Sequence, residues 1–300
     1  MELGRTLFSL LLICAVCVFA RPLAAEESGN TITWLYPLYP PVFMPEGTDK
    51  GSGILEVPLA RIQQLMPNYK HENSVTNMKR LLKTIEAERF ACSNLLLKTP
   101  EREKFVAFSK PYILTHAYRI IVRAKEKKKF DRLTNSNGAL SLSKLLADKN
   151  LLLGYSEGRS YSPPVNAILK KQASKENAYS TTSHDLLRAL LKMTARKRVD
   201  YTIGYPFEIA YLVRQLDLKN TFVSYAIEES AETYVAHVGC PNNDWGRKII
   251  AQVNPIIERL RVDKQIYGGY MNWVDEPTGL QYEKQVLKRF SGEADVAGGQ

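Results

Sequence analysis

Short β-branched and aliphatic runs alternate along this chain with stretches whose apolar residues recur at helical spacing, and the alternation occurs twice. In the first half, residues 31–36 read as a strand and the Pro- and Gly-rich 37–53 as a loop. A helix over 54–66 follows, with Leu55, Leu59, Ile62 and Met66 on one face, stopped by Pro67. A strand over 69–75 comes next. Thr76 or Asn77 is placed to cap a helix carrying Met78, Leu81, Leu82 and Ile85, before a strand over 90–97. The second half repeats the pattern with strands at 118–123, 151–155, 199–204 and 233–238. Its helices fall at 140–146 (Ser141 as cap), 164–171, 185–195, 207–215 and 245–262, and the stretch 270–273 closes the chain. A β-α-β-α-β order predicts a mainly parallel sheet with covering helices. Two such units in tandem predict an α/β protein of two lobes with a crevice between them, where strands of this kind present ligands.

The first 25 residues form a different kind of segment. Arg5 precedes an apolar run from Leu7 to Phe19, and small residues follow at Ala20, Ala24 and Ala25. The run is shorter than the roughly 20 residues needed to span a bilayer, so 1–25 reads as a signal peptide cleaved after Ala25. An uncleaved anchor is the alternative. Cys14 and Cys17 lie inside this run and carry no redox or metal reading. Loss of the leader removes Glu2, Arg5 and Arg21 and lowers the formal net charge from +10 to +9. The basic residues are dispersed, and the one dense run, Lys125 to Lys129, contains Glu126 and reads as a solvated loop. A nucleic-acid partner is therefore not expected.

Export permits a disulfide, and the two remaining cysteines, Cys92 and Cys240, form either one bridge or two buried thiols. His71, His116, His184 and His237 are isolated, so no metal site and no cofactor are expected. The chain has no P-loop, and Gly51–Gly53 is too short to cradle phosphate.

Residues 99–112, TPEREKFVAFSKPY, resemble the T-P-E-R…F-S-x-P-Y stretch of the family 3 periplasmic solute-binding proteins, the polar amino-acid receptors of ABC transporters. Four further segments fit in the same order: YPP at 39–41, GYSEGRS at 154–160, the run from Leu186 to Tyr205, and the ending 270–273. The resemblance spans nearly the whole mature chain and looks like a divergent branch. It implies a two-lobed, periplasmic-binding-protein-like (type II) fold with two crossover hinge strands. Lobe 1 would comprise 31–118 plus 237–290 and lobe 2 119–236, leaving 291–300 as a disordered tail. Cys92 and Cys240 would both lie in or beside lobe 1, compatible with a bridge.

The same resemblance implies a site. Arg102 matches the family's carboxylate-binding arginine, and a guanidinium fork suits a carboxylate. The competing reading is a salt bridge to Glu101 or Glu103. Thr99 would add a hydroxyl or backbone N–H, and Tyr39 would stack on the ligand. Gly158, Arg159 and Ser160 form the turn opening the first helix of lobe 2, with Arg159 adding a second positive charge. Trp34 and Tyr36 are expected in the core. Tyr205 is the main departure, because the family's amino-acid receptors carry an aspartate there for the ligand's ammonium. Glu208 is nearby but is expected to face its own helix.

The implied function is capture of an anionic or carboxylate-bearing solute by lobe closure in the periplasm, by a monomer serving an ABC transporter permease. The alternatives are a sensor for a membrane signalling protein and a dehydratase-like enzyme on the same scaffold. Catalysis is not expected, because only Glu157 and Glu208 lie near the site and neither has an evident acid–base partner.

Overall fold

The computed structural model describes residues 29–87, 89–156, 159, 161–181 and 186–291. The expected leader and residues 292–300 of the expected tail lie outside the described residues. The first part of the chain holds β1 (Thr31–Tyr36), α1 (Glu56–Gln64), β2 (Lys70–Val75), α2 (Met78–Glu86) and β3 (Ala91–Leu97). A short α3 (Pro100–Glu103), β4 (Val106–Phe108) and β5 (Ile113–His116) follow. The middle holds β6 (Arg119–Arg123), α4 (Lys127–Asp131), α5 (Leu142–Ala147), β7 (Leu153–Ser156) and α6 (Pro163–Gln172). It continues with β8 (Ala178–Thr181), α7 (Leu186–Ala195), β9 (Tyr201–Gly204), α8 (Pro206–Gln215) and β10 (Phe222–Ala226). The chain ends through β11 (Thr233–Pro241), α9 (Asp244–Leu260), α10 (Lys264–Met271) and α11 (Glu276–Phe290).

These strands form two sheets, each the centre of one lobe. The first runs β2-β1-β3-β11-β4, with β5 also paired to β11; the second runs β10-β6-β9-β7-β8. β1 is parallel to both neighbours, as the β-α-β order requires, whereas β11 returns antiparallel to β3, β4 and β5. The chain leaves the first sheet after His116 and re-enters it at Thr233, which pairs with His116. The expected lobe boundary at 236/237 falls inside β11, all of which pairs in the first sheet.

Period-two alternation splits β1 and β6 between two layers. Ile32, Trp34 and Tyr36 of β1 enter the main core with α1 and the three C-terminal helices, while Leu35 enters a smaller cluster with Leu81 and Ile85 of α2. On β6, Ile120 and Val122 face one core and Ile121 the other, against Leu187 and Leu190 of α7. Trp34 and Tyr36 are buried as expected.

The caps are local. Asn77, not Thr76, opens α2 by accepting from Arg80 N at 2.9 Å, and Ser141 opens α5. β4, β5, β8, β10, α10 and α11 were not anticipated. The expected loop at 125–129 is instead largely helical, held by the fully buried Phe130, with its lysines still exposed. Cys92 of β3 and Cys240 of β11 are bridged, with Cα atoms 4.3 Å apart.

Candidate functional site

β1 and β3 end at the same edge of the first sheet, and the residues just beyond them, Tyr39 and Arg102, face a cavity of about 1010 Å³ between the lobes. The second lobe lines it with Tyr118, Arg159, Tyr205, Phe207 and Glu208. Four of the expected site residues, Tyr39, Arg102, Arg159 and Tyr205, thus converge on one cavity. Thr99 is not among the lining residues: its hydroxyl accepts from Arg102 N and caps the turn that carries the arginine. Glu157, Gly158 and Ser160 lie outside the described residues.

Arg102 is half-buried and donates from Nη1 to the carbonyl of Leu97 at 2.9 Å. The salt bridge weighed against its ligand role is not formed, for Glu103 pairs with Lys98 at 2.8 Å. Among the described residues Arg102 has no carboxylate partner. Burial lowers its pKa from the ordinary arginine value, with Glu101 opposing. The guanidinium remains a cation whose partial desolvation strengthens any charge-assisted bond it makes.

Arg159 differs in having its partners already in place. Its Nη2 and Nη1 meet Glu208 Oε2 and Oε1 at 2.6 and 2.9 Å, a bidentate fork. Nε donates to Tyr118 OH at 3.2 Å, and Nη2 reaches across the cleft to Tyr39 OH at 3.1 Å. The guanidinium carbon also lies 5.2 Å from the Tyr118 ring centre and 5.8 Å from that of Tyr205. Burial works against its charge, but Glu208, Tyr39 and Tyr118 outweigh burial and raise its pKa well above the ordinary value. Burial, then Glu208, pushes Tyr39 well up, so its hydroxyl stays protonated.

Glu208 therefore does not face its own helix as expected. Pro206 opens α8, which places Glu208 in the first turn, pointing into the cleft and only 7% exposed. Tyr118 and Phe207 were likewise not anticipated. Tyr205 stacks on Tyr118 at 3.8 Å and on Phe207 at 5.0 Å, making an aromatic wall at the position of the family's aspartate. The sequence signal for Glu208 was the proline two residues earlier, which marks a helix start. For Tyr118 the signal was its place at the crossover.

Two α/β lobes joined by crossover segments around a charged and aromatic cleft define a periplasmic-binding-protein-like molecule. The chain belongs to the bacterial extracellular solute-binding proteins, family 3, whose model matches residues 35–276. Among curated proteins, none matches the sequence. A histidine kinase sensor domain with similarity to periplasmic binding proteins superposes with a TM-score of 0.58 at 15% identity, covering 81% of this chain and 95% of that one. An ancestral cationic amino acid solute binding protein gives 0.59 at 17%, covering 82% and 96%. The L-cystine solute receptor of Neisseria gonorrhoeae, in its unliganded open conformation, gives 0.55 at 14%, covering 82% and 93%. At these identities the likeness concerns the fold. Among the described residues, no helix is long and apolar enough to cross a membrane.

Proposed function

We propose that this protein captures a small carboxylate-bearing solute in the periplasm by closing its lobes around it, and delivers it to a permease of an ABC transporter. The observation that carries this reading is Arg102, a half-buried guanidinium facing the inter-lobe cavity with no carboxylate of its own among the described residues. A solute carboxylate would complete it by a two-bond fork. Closure follows from the lining: a ligand held by Arg102 and packed on Tyr118, Tyr205 or Phe207 touches both lobes, so it binds the closed arrangement better than an open one. A binding role is further supported by Glu208. As the one acid among the described lining residues it would be the acid or base of an enzyme here, and it is tied up by Arg159.

The test starts with mass spectrometry of small molecules that co-purify with the native protein, followed by calorimetry of the recovered solute. Arg102→Ala should cost about 2–5 kcal/mol of affinity. The variant should also lose the decrease in radius of gyration that the solute produces in small-angle scattering. A solute without an anionic group, or unchanged binding by the variant, overturns the reading.

A further inference from the structure

The cavity is much larger than its charged groups require. About 1010 Å³ is the upper end of what drug-sized ligands occupy. Most of the wall is apolar or aromatic, including Met78, Leu95, Leu97, Tyr118, Phe207 and Tyr270. Leu38 and Val75, which are 58% and 51% exposed, also line it, so the apolar surface extends to where solvent reaches. The charges among the described lining residues are Arg102, Arg159, Arg188 and Glu208, and Arg188 already has an interaction of its own. That acid is held by two short bonds to Arg159 and accepts a longer one, 3.5 Å, from Tyr39 OH. An incoming ammonium could pair with Glu208 only by breaking this fork and stranding the Arg159 charge at a side-chain exposure of 11%.

We propose that the solute is a monocarboxylate with an uncharged aromatic or aliphatic body. In this assignment Glu208 is the specificity-determining residue that, by holding Arg159, excludes both the α-ammonium of amino acids and a second carboxylate. The assignment rests on the carboxylate reading of Arg102. The head binds Arg102, the body lies against the aromatic wall, and no acid among the described lining residues is left to compensate an ammonium.

Matched pairs that differ only in the amine test it: indole-3-propionate with L-tryptophan, 3-phenylpropionate with L-phenylalanine, and 4-methylpentanoate with L-leucine, with tryptamine as the amine lacking a carboxylate. Calorimetry on the mature protein should show the deaminated member of the pairs binding about tenfold or more tightly than the amino acid, a gap of about 1.4 kcal/mol, and no binding of tryptamine. Equal or tighter binding of the amino acids overturns the inference while leaving the Arg102 reading intact. Binding of tryptamine with no carboxylate bound overturns both, and silence from every probe overturns the inference. Glu208→Gln keeps the side chain's size and releases Arg159. With folding checked by circular dichroism, it should raise affinity for the dicarboxylate suberate about tenfold or more relative to the monocarboxylate octanoate. An unchanged suberate affinity removes Glu208 from the role assigned to it.

Discussion

Two histidines report how strongly single side chains depend on their surroundings. His116 is buried at the first crossover, its Nδ1 2.8 Å from Tyr270 OH, and His237 on β11 bonds the carbonyl of Ser109 at 2.7 Å. Burial lowers both pKa values from the ordinary histidine value. Arg119 adds to the effect at His116, and the Ser109 bond partly opposes it at His237. The folded chain therefore holds these rings neutral at a pH where the unfolded chain binds the protons. The stability they contribute is complete above about pH 6.5 and falls as pH drops below it towards the depressed folded values. Thermal melts between pH 7.5 and 5.0 should show this loss, and His116→Gln with His237→Gln should flatten the slope. An unaltered slope in the double variant would assign the pH dependence to other groups. The site residues were unequally legible at this scale. Arg102 stood out because a local motif carries it. Glu208 did not, because whether a first-turn acid faces solvent, its own helix or a cleft depends on where the helix is docked.

At the scale of elements, glycines show which helices are pressed against the sheets. Gly246 lies in the first turn of α9, and a Cβ there would sit 1.9 Å from the carbonyl oxygen of Pro241 at the end of β11. Gly268 in α10 has nothing within 4 Å of the same position. Gly246→Ala should therefore destabilise by about 1–3 kcal/mol through overpacking. Gly268→Ala should stabilise by about 0.5–1 kcal/mol by reducing the entropy of the unfolded chain. Urea denaturation of the two variants reads both, and equal midpoints would contradict the packing of α9 on β11. Most elements were visible in the sequence because amphipathic spacing is local. α11 was not. Its buried stripe of Tyr282, Val286 and Phe290 begins only after Pro277 and Gly279, and its start depends on the Asp275 cap to Thr278 N at 2.8 Å. β10 was missed because Phe222–Ala226 shows no clear alternation; four of its five residues are half-buried at the edge of the second sheet.

Across the whole molecule, β11 brings the chain back from the second lobe, and the Cys92–Cys240 bridge ties that return to β3 across a sequence separation of 148. Both cysteines are fully buried in the main core. Closing so long a loop removes entropy from the unfolded chain, so replacing both cysteines with alanine should cost about 2–5 kcal/mol. The cost should be read as a lower urea midpoint in the oxidised protein. A variant as stable as the wild type would mean that core packing alone holds β11 in place. The lobes also meet through Tyr39 and Arg159, a bond between residues 120 apart in sequence. The cleft is thus spanned by protein groups as well as being open to a solute.

The amino-acid order by itself determined the alternation of strands and helices, the division into two α/β units, the motif around Arg102, and the pair of cysteines available for a bridge. These are matters of local periodicity, turn chemistry and composition, which neighbouring residues set among themselves. Only the tertiary structure decided that Arg159 pairs with Glu208, that Tyr205 joins an aromatic wall with Tyr118 and Phe207, and that the Thr99 hydroxyl caps the turn carrying Arg102. The physical reason is that a buried charge takes whichever partner the packing of distant elements brings within reach, and no local pattern encodes that distance.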